Sequence, residues 1–238
     1  LFGYNGDGMA ATQASFTNPN ALAVDATGVL YIADTGANRV RRVGLNGEIT
    51  TVAGTGQTAY NGDGLAATAT ALYAPYDVAV GAEGSLYIAD TLHHRVRRVR
   101  PDGIVETVAG NGGGEYSGDG LPAAQTALPA PWRLEIDAAG RLLIASGGVQ
   151  YGAVRLVTLA DGVLATVAGG EEMLIVGDIV GTPIAAVDLF QMKDVAATPD
   201  GGFVLVFYDD ARLFGVRQTL PRFDGNGIRL PSSDGREV

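Results

Sequence analysis

Cysteine is absent from the 238 residues, so disulfides, thiolate nucleophiles and cysteine-based metal cages are all closed to this chain. Histidine occurs only twice, as the neighbours His93 and His94. With no third ligand evident, the pair reads as a routine position of its motif and no metal is expected. Tryptophan occurs once, at Trp132. No apolar run approaches the ~20 residues a spanning helix needs. Charged residues make up only 18% of the chain, and acids outnumber bases to give a formal net charge of −10. Such a chain is poorly suited to nucleic acid or to an anionic membrane surface. A G-x-S-x-G elbow is missing, and the glycine stretch GNGGGEYSG (110–118) lacks the Lys-Ser/Thr of a phosphate-binding loop.

Glycine is plentiful, at 35 residues, and hydrophobic residues make up 47%. Together they describe a sizeable core broken by many turns, the composition of an all-β chain. The glycines recur in register. YNGDG at 4–8 returns as YNGDG at 60–64 and YSGDG at 116–120, so Gly6-Asp7 steps to Gly62-Asp63 and Gly118-Asp119. LYIADTGANRVRRV (30–43) returns as LYIADTLHHRVRRV (86–99), then weakens to LLIAS (142–146) and FVLVF (203–207). TVAG ends three units, at 51–54, 107–110 and 166–169. A fixed period of this size signals a repeat architecture.

The content of one unit selects the architecture. The second unit holds four short apolar segments, Asp77–Val80, Leu86–Ala89, Val96–Val99 and Val105–Ala109, separated by Gly, Pro or Asp turns. Four antiparallel strands per unit, repeated around an axis, is a β-propeller blade. The units run about 4–59, 60–115, 116–170 and 171–220, and residues 221–238 form an exit segment. The chain begins inside a repeating unit, so the expectation is a piece of a longer polypeptide.

Two charge patterns recur. Asp7, Asp63 and Asp119 are expected to cap short helical turns between blades. Asp34 is expected to meet Arg39 or Arg42, and Asp90 to meet Arg95 or Arg98, or nearby turn amides. In the third unit Ser146 replaces the acid while Ala153 and Leu156 replace the arginines.

The YNGDG…AVD…LYIADT…NRVRRV…TVAG cadence resembles NHL repeats, of the long variety found in bacterial Rhs/YD-repeat and teneurin-like proteins. The resemblance is strong over 4–170 and faint over 171–220. PSSDGREV at the end is similar to the junction where such propellers meet a YD-repeat shell. The resemblance implies a six-bladed ring with further blades upstream. It implies a non-catalytic interaction module of a larger secreted or cell-surface protein, a polymorphic toxin or an adhesin. The partners implied are the shell, the missing blades, and a cell-surface protein or glycan. No cofactor is expected. A metal-dependent lyase or lactonase acting in the central channel stays open as the alternative.

Propellers place ligands where the innermost strands begin. Two rings of residues follow the landmark prolines in register: Asn20, Tyr76, Trp132 and Lys193, then Ala21, Asp77, Arg133 and Asp194. The scaffold repeats around them while these positions vary, as a binding surface does.

Overall fold

The structure is a computed structural model that describes residues 3–115, 117–147, 152–159, 162–169, 178–179, 182–183, 192–199, 202–209 and 212–219. The exit segment 221–238 and the side chain of Lys193 lie outside the described residues.

The first blade contains β1 (Met9–Ala10), β2 (Pro19–Val24), β3 (Leu30–Asp34), β4 (Arg39–Val43) and β5 (Glu48–Ala53). The second is β6 (Pro75–Val80), β7 (Leu86–Asp90), β8 (Arg95–Val99) and β9 (Val105–Ala109). The third is β10 (Pro131–Ile136), β11 (Arg141–Gly147), β12 (Gly152–Thr158) and β13 (Leu164–Gly169). A short pair, β14 (Asp178–Ile179) with β15 (Thr182–Pro183), precedes a three-stranded sheet of β16 (Met192–Ala197), β17 (Gly202–Asp209) and β18 (Arg212–Thr219). Each sheet runs antiparallel in chain order from the inner strand outward, and β1 adds a fifth strand beyond β5. The chain is all-β and forms NHL-type propeller blades.

Blades pack face to face, so both sides of each sheet are apolar. Ala21 and Ala23 of the first blade meet Val78 and Ile88 of the second. Ala79, Tyr87 and Ala89 of the second meet Leu134, Leu142 and Ile144 of the third. This explains why LYIAD is buried at every residue in the second blade rather than alternating. The lead-in segments add Leu72 and Leu128, both fully buried, to the two seams.

The glycine closing TVAG has a specific job. Gly54 and Gly110 have φ of +95° and +87°, and a Cβ on either would meet the backbone of residues 38–39 or 94–95. Their amides donate across the seam to Ala67 and Ala123 of the next unit. Gly110→Ala is therefore expected to destabilise the chain by more than about 1 kcal/mol, measured by urea unfolding.

Three helical turns, Ala11–Gln13, Ala67–Ala69 and Ala123–Gln125, lie between outer and inner strands. None is capped by an aspartate: the preceding residues are Ala10, Ala66 and Pro122, without a side-chain cap bond. Asp7, Asp63 and Asp119 instead tie the lead-in loop to the outer strands. Asp7 Oδ1 accepts from Arg41 at 2.9 Å and Thr51 at 3.0 Å. Asp63 Oδ1 accepts from Arg97 at 2.8 Å and Thr107 at 3.0 Å. Asp119 Oδ1 accepts from the backbone and hydroxyl of Thr166. A 3₁₀ turn of three residues offers few free amides, and the arginines exert the stronger pull.

Candidate functional site

The buried Asp–Arg pairs are built on the middle arginine of RVRRV, correcting the expected partners. Arg41 and Arg97 are fully buried, whereas Arg39 and Arg95 lie at the strand start. Asp90 accepts the Tyr73 amide at 2.8 Å, faces His93 Nδ1 at 2.9 Å, and meets Arg97 at 3.3 Å. Asp34 accepts the Thr17 amide at 2.7 Å and lies 3.9 Å from Arg41. Arg39 donates to the carbonyls of Ala37 and Thr55 and lies over the ring of Tyr4; Arg95 does the same with His93, Asn111 and Tyr60. In the third blade the middle arginine survives as Arg155, hydrogen-bonded to Ser146 Oγ. Loss of the acid there accompanies loss of the outer arginines only.

The two histidines have separate structural jobs. His93 lies edge-on to Tyr60 and Tyr73, with Nε2 2.7 Å from the Thr58 carbonyl. His94 sits in the left-handed region (φ +54°), as does Asn38 (φ +53°). Each is the corner of its blade and accepts an amide of the next: Asn38 Oδ1 from Ala74 at 2.8 Å, His94 Nδ1 from Ala130 at 3.0 Å. Beside them Thr35 and Thr91 donate to the carbonyls of Pro75 and Pro131. Sequence reasoning missed this Thr-x-x-Asn/His latch, whose signal was a Thr three residues before Asn or His in both copies. No group of three or more metal-ligating side chains occurs among the described residues.

The latch predicts a pH effect. Burial, with Arg95 and His93 alongside, holds His94 below the usual histidine range. A depressed folded-state value means that the latch's contribution is present above pH 6.5 and is lost as pH falls through the folded value. Wild type minus His94→Asn, compared by urea unfolding from pH 8 to 5, should show that loss, because an asparagine accepts the amide without titrating.

The inner strands β2, β6, β10 and β16 surround a cavity of about 460 Å³. Its wall includes Asn20, Ala21, Asp77, Arg133 and Asp194, five of the eight residues of the two rings expected at the mouth. Tyr76 and Trp132 stand beside that wall. The Arg133 guanidinium lies 5.4 Å from the centre of the Tyr76 ring, and it also reaches toward the Trp132 carbonyl. Arg133 pairs with Asp194 at 3.5 Å. The register matches: Ala21, Asp77, Arg133 and Asp194 each oppose the equivalent residue of the second strand, Ala33, Ala89, Ala145 and Val206.

Asp77 bridges two blades. One oxygen accepts the Val78 amide and the other the Leu134 amide of the third blade, both at 2.8 Å. Burial pushes its carboxyl up to about 6, against the pull of those amides and Arg133. Glu135, also in the wall, is raised by burial and by the neighbouring acids. A carboxyl titration of Asp77 followed by NMR should therefore centre near pH 6. Chemically, the described side chains of the mouth set the Arg133 guanidinium among carboxylates and over the Tyr76 ring. Asp25 and Asp137, at the turns that follow β2 and β10, fold back onto those turns, accepting amides of Thr27, Val29, Ala139 and Arg141.

Comparison with known proteins agrees with this architecture. Residues 3–62 match the family model of the teneurin NHL domain. Human Teneurin-4 is 38% identical over 103 residues, covering 38% of this chain and 4% of that protein. Mouse Teneurin-1 is 31% identical over 102 residues, again about 4% of its length. The chain thus spans a small fraction of the curated relatives it matches. Among solved structures, a protein of unknown function from Bacteroides thetaiotaomicron superposes with a TM-score of 0.60 at 20% identity, over 84% of this chain and 46% of that one. A structure described as a putative gluconolactonase superposes with a TM-score of 0.51 at 16% identity, covering 89% and 62%. These likenesses concern the fold alone. Sequence and fold together make this chain an array of NHL-type propeller blades, similar in its opening repeat to the teneurin NHL domain.

Proposed function

We propose that the chain is a non-catalytic interaction module whose binding surface is the mouth of the channel, at the start of β2, β6, β10 and β16. One observation carries the reading. The residues that vary from blade to blade, Asn20, Asp77, Arg133 and Asp194, converge on one cavity while the latch and the Asp–Arg pairs repeat from the first blade to the second. The teneurin-like repeat supports a module within a larger secreted or cell-surface protein. Under the same reading its partners are a YD-repeat shell, a cell-surface protein or a glycan, and a bacterial Rhs-type toxin or adhesin is the larger assembly. Aromatic and Arg side chains are the usual anchors of such surfaces.

The test is binding of the labelled chain to intact source cells, with Trp132→Ala and Arg133→Ala as variants. Loss of binding by about tenfold or more, with the unfolding midpoint unchanged, is expected. Undiminished binding by both variants would remove the mouth from consideration. The catalytic alternative draws on the raised Asp77 carboxyl in the channel. Turnover of a lactone by the chain, abolished by chelator, would favour it.

A further inference from the structure

The two histidines at the corner of the second blade face groups of opposite kind. His93 is 8% exposed. Its Nδ1 lies 2.9 Å from Asp90 Oδ2, and its Nε2 lies 2.7 Å from the Thr58 carbonyl. A carbonyl oxygen only accepts, and so does an ionised carboxylate. Asp90 is set up as a carboxylate: Arg97 reaches the same Oδ2 at 3.3 Å, and the Tyr73 amide donates to Oδ1. A neutral imidazole has one N–H and serves one of the two acceptors, whereas the doubly protonated ring serves both. His94, the next residue, receives the Ala130 amide on Nδ1 at 3.0 Å, which only an unprotonated nitrogen can do. The first blade shows what the His93 ring supplies. Ala37 stands in its place, and there Asp34 Oδ2 is buried with no hydrogen-bond partner among the described residues.

We infer that these neighbouring rings are held in opposite charge states. His93 is an imidazolium that straps the Thr58 segment to Asp90. His94 is a neutral ring that latches the third blade. The corner is whole only between their two titrations. The inference goes beyond the mouth as a binding surface and does not depend on it. The groups packed around the pair fit the assignment. Burial, Arg95 and the His93 charge all disfavour a proton on His94. A Cβ at Gly114 would lie 3.5 Å from the Cε1 and Nε2 edge of His94, so that segment packs beside the ring. The acid facing His93 is Asp90, with Arg97 behind it, and Tyr60 and Tyr73 lie edge-on to the ring at 5.5 and 5.8 Å. When His93 loses a proton, one acceptor goes unserved. Asp90 is fully buried and Thr58 is exposed, so the Thr58 contact gives way, because water can replace the ring there. When His94 gains a proton, Nδ1 becomes a donor facing the Ala130 amide and the latch ends. The first blade, with Ala37 and Asn38 at these positions, has neither response.

NMR of the 238-residue chain with isotope-labelled histidine gives the test. The chain holds only these two rings, and His94→Asn assigns them. At one and the same pH, His93 should show two protonated ring nitrogens and His94 an unprotonated Nδ1. Raising the pH until His93 loses a proton should shift the Thr58 carbonyl signal and leave the Ala130 amide in place. Lowering it until His94 gains one should shift the Ala130 amide and leave Thr58 in place. His94→Asn should abolish the Ala130 response and keep that of Thr58. Two rings that titrate together would overturn the inference. So would a His93 ring with one protonated nitrogen wherever His94 is neutral, or a Thr58 carbonyl unmoved when His93 deprotonates. Failure here leaves the mouth reading standing, since that is measured by binding at Trp132 and Arg133.

Discussion

Asp90→Ala is expected to destabilise the chain by about 3–5 kcal/mol in urea unfolding, the largest effect of any single substitution considered. Asp90 is fully excluded from solvent, and so is Arg97 beside it. Removing the acid leaves the guanidinium buried without that carboxylate, and leaves the Tyr73 amide and His93 Nδ1 without their acceptor. Burying a charge after its partner is removed is costlier than never having had the pair. Arg97 keeps Asp63 and the Gly62 carbonyl, which limits the loss to this range. Asp90→Ser should cost distinctly less. The third blade already runs on that chemistry, with Ser146 Oγ accepting from Arg155. Equal losses for Ala and Ser would show that the oxygen at this position does not matter.

The second large effect is expected at Leu128. Leu128→Ala should cost about 2–5 kcal/mol, because the side chain is fully buried between the second and third blades and its removal leaves a cavity between two rigid sheets. A loss well under 1 kcal/mol would mean that the sheets close over the gap and that the seam is loosely packed. Leu128 lies outside any strand, in a lead-in segment whose composition suggests only a connector. Its burial shows that the connector is part of the core.

Much of the fold was legible because the repeat carried it. The four strands of the second unit fall within one or two residues of their expected ends, since turn glycines and apolar runs mark them locally. Side-chain partners across blades were harder to read. RVRRV places three arginines in one strand, and Arg39 shares a face with Arg41, as Arg95 does with Arg97, so strand alternation does not tell them apart: Arg41 and Arg97 are enclosed with Asp34 and Asp90, while Arg39 and Arg95, at the strand start, turn to carbonyls and tyrosine rings. Counting residues between acid and base does not reveal that choice. The roles of Asp7 and Asp63 were misread for a related reason. A short acidic loop before a helical turn looks locally like a cap, but the buried arginine that claims it is 34 residues away in sequence. The mouth was legible to the extent that register alone defines it, and Asp77, Arg133 and Asp194 fall together as aligned. The bridge from Asp77 to the Leu134 amide was not, because it depends on how closely two inner strands approach.

A buried lattice shared by the first two blades holds them, while a variable, more exposed set of residues lines the mouth. A pair of double-mutant cycles in urea tests it most directly: Asp90 with Arg97, and Arg133 with Asp194. The buried pair should couple by about 0.5–3 kcal/mol. The mouth pair, with side chains 23% and 57% exposed, should couple by less than about 1 kcal/mol and leave the fold intact when removed. Additive behaviour at Asp90 and Arg97, or coupling at the mouth as strong as in the lattice, would contradict the division of labour between scaffold and surface.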